Sequence, residues 1–518
     1  MIKSIINKLK ADDNIYIYSI LIFLCVQPLL ELDLYLQSFY IKTGLLAFST
    51  IIRIIGIVWL GILALIRSKH IVRDTILWSV YGVLLIIYTY FHFVVARGVD
   101  ILLPPTYVWV KSYEIKYILF LILPYVLLWA TSKIHIEKKL INTTVIFISL
   151  FICTNIFITN ILVSSYGSYG GITYQNIFTW FTGIYDSYTP KELTSMGFYF
   201  FSNPLSGALI IIYPLVVKAY LEEKTKLSLV TIIIQTLAMF MIGTRVGAYG
   251  IIIVLVAMLL VYLFLIIIKY QKEICKKFII LLVVLASLST IVLPFSPAYR
   301  NASFDYDDEL SFDDNERLLA EGLLALKDIK DPDEYHYALI FQLEHIYIYY
   351  ITFPREYYEY YYSYKFDPEF YFDVLSLPFE QRKGGRQFEK YFINRKYNDL
   401  TDEQKLFGLG YSRMSQGGIV LEQDFLNQYY LLGPIGACIT VVPYLFLFIY
   451  MSILLLLKIR KKEYFTFENL MLYMSFSLGL IISYYSGHIL DEPIASFFLA
   501  FIGGRLLFNL NSKEAVNG

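Results

Sequence analysis

Cysteine is scarce: four residues in 518, Cys25, Cys153, Cys275 and Cys438. Three sit inside apolar runs and Cys275 lies in a basic linker, so no pair can staple a loop and no structural disulfide is expected. None has metal-ligand spacing. Charge is scarce too. Asp, Glu, Lys and Arg make up 17% of the chain, and 43 basic residues balance 43 acidic ones. A balanced chain has no bulk field with which to gather nucleic acid or acidic partners. No P-loop occurs, which argues against ATP-driven work. No nucleotide-binding βαβ pattern is present, and no internal repeat of the sort many transporters carry.

What the chain has in excess is apolar sequence, at 57% of residues. That composition belongs to integral membrane proteins. About 20 apolar residues span a bilayer. Such runs lie near 15–36, 44–66, 75–96, 114–131, 141–163, 198–217, 227–243, 246–268, 277–295, 433–457, 467–486 and 489–509. The expected fold is an all-α membrane protein with about twelve transmembrane helices. The last run is short and interrupted by Gly503, Gly504 and Arg505. The basic stretch "MIKSIINKLKADDN" precedes a long apolar run without a small-residue cleavage site, so that run reads as a first span and not a removed leader.

Alternate linkers are basic: "RSKHIVR" (67–73), "SKIHIEKK" (132–139), "EEKTK" (222–226), "KYQKEICKK" (269–277) and "KIRKK" (458–462). All fall on one side with Lys3, Lys8 and Lys10, which places them and both termini in the cytoplasm. The outer face then carries 97–113, the Tyr- and Gly-rich 164–196, the turn "SGHILDEP" (486–493) and a large loop, 296–420. Three regions are expected: a first bundle of about nine helices (1–295), the loop (296–420), and a re-entry helix with the last three spans (421–518). The loop mixes aromatic and charged residues throughout, as helices lying on a membrane surface do.

Charged residues near the membrane are the candidates for chemistry. Arg245, in "MIGTRVGAYG" (241–250), is the one charge in a long apolar stretch and falls in an outer hairpin. Snorkelling to headgroups explains such an arginine. Packed glycines around an outward guanidinium suit a phosphate ligand instead, held by a planar fork of donors. Glu422 and Asp424 stand where the loop re-enters the membrane. Both can complement a helix N-terminus. The alternative is a partly desolvated carboxylate acting as a general base. Arg53 lies deeper, with Glu31, Asp33 or a substrate phosphate as its partner. Lys111, Glu114 and Lys116 form an ion cluster at the start of the fourth span. For Glu114 the interfacial reading is preferred. His488 and Asp491 sit on the last outer turn, where a lone histidine is more often a satisfied hydrogen-bonding residue than a catalyst. The triplet Asp305–Tyr306–Asp307 has the form of a metal-binding Asp-x-Asp. It stands in an acidic run with no nucleotide-binding pattern around it, so no metal site is assigned there.

Three elements carry a resemblance. "GTRVGAYG" (243–250) matches a Gly-Ser/Thr-Arg-x-Gly hairpin, "FGLGYS" (407–412) a phrase closing a large external loop, and "LEQDFLNQYYLLGPIG" (421–436) a re-entry element. Together they resemble the O-antigen polymerase/O-antigen ligase superfamily, over nearly the whole chain. Many members place histidine where Glu422 stands, so the sequence looks like the Glu-x-Asp version of polymerase-type relatives. The resemblance implies a GT-C-like architecture in a bacterial cytoplasmic membrane. It also implies a glycosyltransferase that joins oligosaccharide repeat units carried on polyprenyl diphosphate, without metal or cofactor. Arg245 would hold the diphosphate, with Arg386 or Arg413 of the loop and Arg53 assisting. Lys111, Lys116, Asp424 and His488 would line the substrate path, and Glu422 would take the acceptor's proton. Tyrosines of 348–372 would offer faces to sugars. Flippase and chain-length regulator proteins are the implied partners, beside membrane lipids. A ligase acting on another acceptor, an exporter or flippase, and a non-catalytic scaffold stay open as alternatives.

The orientation is directly testable. Cysteines placed at 222–226 should be shielded from an impermeant thiol reagent in whole cells, and cysteines at 380–397 labelled. The opposite pattern would overturn the shared basic face.

Overall fold

The computed structural model describes residues 12–43, 45–99, 108–167, 171–182, 190–271, 273–300, 313–350, 358–359, 362–378, 381, 385–416 and 419–511. Asp305–Tyr306–Asp307 and the first residues of the basic N-terminal stretch lie outside them. No strand forms among the described residues. Ten helices there are long and apolar enough to cross a membrane. The chain is an all-α membrane protein. Two further expected runs are also helical. Lys226–Ile242 has 17 residues, and Phe467–Tyr485 begins next to a buried Glu468. The last run forms one unbroken helix, Pro493–Asn511, buried nearly throughout. Its Gly503 and Gly504 let it lie directly on Phe476 and on the Leu128 carbonyl.

The helix starts follow local chemistry. Threonine caps four of them: Thr225 accepts from Ser228 N at 3.2 Å, Thr244 from Gly247 N at 3.1 Å, Thr401 from Gln404 N at 3.3 Å, and Thr466 from Asn469 N at 3.2 Å. A side-chain oxygen there satisfies an N–H that has no partner inside the helix.

The chain divides into two compact units. The first comprises 1–81, 119–302 and 443–518, and the second 82–118 and 303–442. In the first, helix Ser202–Glu223 is buried over most of its length and sits among Lys138–Ile161, Lys226–Ile242, Arg245–Ile267, Phe467–Tyr485 and Pro493–Asn511. Its buried charges are paired near helix ends. Lys218 Nζ lies 2.8 Å from Glu222, Lys138 3.4 Å from Glu468, and Lys133 2.9 Å from Asp74. A buried cation or anion without such a partner would be strongly destabilising.

The second unit is organised by a broken helix. Asp424–Thr440 contains Gly433 at φ 70°, ψ 172°, followed by Pro434. That backbone region is essentially restricted to glycine, and proline has no N–H to give. The break frees three successive carbonyls, and each finds a donor. Leu409 N–H donates to Tyr430 O at 3.0 Å, Gly410 N–H to Leu431 O at 2.9 Å, and Tyr88 Oη to Leu432 O at 2.7 Å. Gly408 has φ 81°, ψ −179°, and lies against Gly433. A Cβ on Gly408 would come within 2.4 Å of Gly433 N.

The tyrosine-rich stretch corrects an expectation. Among its described residues Tyr358, Tyr362, Tyr364 and Tyr371 are buried and do not face outward. Tyr362 packs at 4.5 Å on Phe392, and Phe370 at 5.5 Å on Phe388. Large aromatic rings give this helical segment an apolar core of its own.

Gly408→Ala should therefore cost about 1–3 kcal/mol from backbone conformation alone, before the clash with Gly433 is added. A clear fall in detergent thermal unfolding temperature is expected. An unchanged midpoint would show that the two backbones do not meet.

Candidate active site

In the first unit, Lys226–Ile242 and Arg245–Ile267 form the expected hairpin, turned by Gly243 at φ 76°. Thr244 Oγ1 donates to Ser206 Oγ at 2.6 Å, fixing the turn on the central helix. Arg245 is the first residue of its helix and is exposed. A guanidinium there adds its charge to the positive end of the helix dipole, an arrangement that favours an anion. His488 lies on the turn before Pro493, in a left-handed conformation at φ 60°. His488, Asp491 and Glu492 bring three possible metal-ligand atoms within 4.8 Å of one another, the one such group among the described residues.

Arg53 is buried and engaged. Its Nε donates to Gln27 Oε1 at 3.0 Å, and its Nη2 pairs with Glu31. The partner is thus Glu31, one of the two acids expected. The guanidinium is engaged inside the bundle by side chains of its own unit. A cavity of about 550 Å³ lined by Phe147, Phe151, Asn155 and Phe198 is mainly apolar and holds none of the expected residues.

In the second unit, the chain after Gly408 is fixed by Glu114. This carboxylate is fully buried and accepts from Tyr411 N at 3.0 Å and Ser412 N at 2.8 Å. His92, also fully buried, joins it. The carbonyl of Phe407 only accepts, so Nδ1 of His92 donates to it at 2.7 Å. His92 Nε2, 3.2 Å from Glu114 Oε2, then shares one further proton with the carboxyl group. Glu114 is a buried keystone and not an interfacial ion. Tyr411 stacks on Tyr117 at 4.0 Å, with the planes 3° apart. Arg413 donates to the carbonyls of Ala96, Arg97 and Val99, closing the end of helix Ile71–Gly98. Lys111 and Lys116 are exposed on the first turns of Lys111–Thr131.

Glu422 and Asp424 separate. Asp424 is buried in the first turn of the broken helix, as the dipole argument allows. Glu422 lies before the helix cap, half-buried, and pairs with Arg386. Two residues expected at the site from distant parts of the sequence therefore meet. Arg386 stands in the first turn of Gly385–Asn398. That helix docks on the broken one through Tyr430 Oη, which donates to Asn394 Oδ1 at 3.3 Å, and through Tyr397, whose ring lies 5.1 Å from Tyr430. One turn after Arg386 comes Glu389. Burial pushes its carboxyl up to about 8, the neighbouring Glu422 charge adds to the shift, and Arg386 opposes it. A half-buried carboxylate–guanidinium pair beside a proton-holding carboxyl can bind an anion and move a proton.

Residues 13–513 match the family of O-antigen ligase like membrane proteins. The chain belongs to that family. Neither a curated protein nor a solved structure matches it. An O-antigen ligase-like membrane protein takes part in surface glycan assembly and acts on lipid-linked glycans. In this ligase-like chain the sequence gives Glu114 an interfacial reading and gives His92 and Glu389 none. His92 interrupts an apolar run, which was a visible signal. Glu389 follows Arg386 by three residues, the spacing of neighbours on a helix.

Removing the Glu114 carboxylate strands two backbone donors and His92. Glu114→Ala should lose about 1–3 kcal/mol for each donor left unpaired. Thermal unfolding of the purified protein measures it, and a midpoint equal to wild type would remove Glu114 from the frame.

Proposed function

We propose that this protein is a polymerase. It joins oligosaccharide repeat units carried on polyprenyl diphosphate into a surface polysaccharide, at the outer face of a bacterial cytoplasmic membrane, with both termini inside. The observation that carries the reading is the Arg386–Glu422 pair at the start of the broken helix, within the family's re-entry element. The basic linkers support the orientation. Flippase and chain-length regulator proteins would be its partners.

The chemistry follows from what each group can do. A sugar hydroxyl on the acceptor chain attacks the anomeric carbon of the donor. A C–O bond forms, the bond from that carbon to the phosphate oxygen breaks, and the lipid diphosphate leaves with the electron pair. Glu422 takes the hydroxyl proton. Charge grows on the diphosphate as the bond breaks. Arg386, beside Glu422, stabilises it without a metal or nucleotide; Arg245, exposed at a helix N-terminus of the first unit, is an anion-binding candidate there in its own right. Lys111, Lys116 and Asp424 are substrate-binding candidates of the second unit, and His488 is one of the first. A second reading is a ligase, favoured by the family's description as ligase-like. It shares the donor chemistry and differs in the acceptor. Glutamate at 422, where ligase-like members place histidine, favours the polymerase.

A general base contributes about 10²–10⁴-fold to rate, and an amide of the same shape cannot replace it. Glu422→Gln should lose most activity with expression intact, and Glu422→His should retain some. Asp424→Asn should be milder. Arg245→Ala should abolish polymer with the protein still in the membrane, and Arg245→Lys should be impaired for want of the planar fork. The measurement is polymer length in cells, and turnover with purified protein and lipid-linked substrate. Equal, small effects of Glu422→Gln and Asp424→Asn would reduce both to helix-end carboxylates. Wild-type polymer from Arg245→Ala would end its phosphate role.

A further inference from the structure

Arg386 has one charge and two carboxyl neighbours. Its side chain is 55% exposed, so a solute can reach the guanidinium; its partner Glu422 is 30% exposed, and the Oε2 that faces Arg386 is buried. A half-buried pair open to solvent on its cationic side can exchange partners. Glu389 lies one helical turn from Arg386, on the same face of Gly385–Asn398. Its Oε2 is buried with no hydrogen-bond partner among the described residues. The charges that act on it are Glu422, from the segment before the broken helix, and Arg386, from its own helix.

We propose that Glu389 is a positioning residue for the lipid-diphosphate donor: through Arg386 it decides whether the guanidinium can leave Glu422 and take a phosphate oxygen. This rests on the donor chemistry proposed above. With Glu389 neutral, one cation balances one carboxylate. A phosphate oxygen then displaces Glu422 from Arg386, and the carboxylate it releases is the base that takes the acceptor's proton. With Glu389 ionised, two carboxylates compete for one guanidinium. The cluster carries a net negative charge, and an incoming diphosphate is repelled. Donor binding and exposure of the base are thereby one event.

The sign of the pH dependence is fixed. Burial raises the Glu389 carboxyl to about 8, so it is neutral below that pH and charged above it. Binding should be strong at pH 7 and weaken as pH rises through 8. For a single ionisation that blocks binding, the dissociation constant should be about tenfold higher at pH 9 than at pH 7. The probe is polyprenyl diphosphate itself, titrated into the full-length protein in detergent between pH 6.5 and 9.5. Each variant is compared with its own value at pH 7. Wild type should show the alkaline weakening, Glu389→Gln should lose it, and Glu389→Asp should keep it. The lipid's own titration is common to all three and cancels in the comparison. Alkaline weakening that persists in Glu389→Gln, or is missing from wild type, overturns the role of Glu389 and leaves the donor reading standing. Failure of wild type to bind polyprenyl diphosphate at any pH overturns the donor reading, and this inference with it.

Discussion

Peptide carbonyls cannot be left unpaired in an apolar environment, and the second unit is arranged around that requirement. The break at Gly433 and Pro434 frees the carbonyls of Tyr430, Leu431 and Leu432. In hydrocarbon each unsatisfied group would cost several kcal/mol. The "FGLGYS" segment answers two of them with its own N–H groups. It can come close enough because glycine faces glycine at 408 and 433. The next two N–H groups, of Tyr411 and Ser412, turn to Glu114, and Arg413 goes on to close a helix end. The segment that enters the broken helix carries Glu422, so the position of the proposed base depends on this hydrogen-bond chain.

Four arginines were candidates for the diphosphate, and burial divides them. Arg53 and Arg413 satisfy carbonyls and carboxylates within their own units. Arg245 and Arg386 keep exposed side chains at the first turns of helices. The guanidinium is the same in each, and its chemistry is fixed by its neighbours and not by its pKa. That is why the sequence could point to all four without showing which of them are engaged by their own unit.

The membrane class, the spans and the hairpin at Arg245 were legible because hydropathy and glycine spacing are local signals. So was the place of Glu422 just ahead of the re-entry helix. The Glu31 partner of Arg53 could be read because the two stand on neighbouring helices. What could not be read depends on contacts between residues far apart in the chain. Glu114 looked interfacial because its partners, Tyr411 and Ser412, lie about three hundred residues away. The tyrosines of the loop looked like sugar platforms because composition does not tell an inward face from an outward one. Among the described residues, the burial of Tyr362 against Phe392 and of Tyr371 against Phe388 comes from tertiary packing.

The glycine contact also constrains how related chains can diverge. Gly408 and Gly433 each need a backbone conformation closed to other residues, and each fills the space the other leaves. Neither can be exchanged to compensate for a change in the other. They therefore fix both ends of the interval 409–432, which contains Glu422. Length changes within that interval would move the carboxylate, whereas length changes before Asp402 would not. Substrate range can then evolve by remodelling the upstream loop while the clasp and its carboxylate stay where they are. Comparisons between relatives should find the chain length variable before the clasp and nearly constant within it.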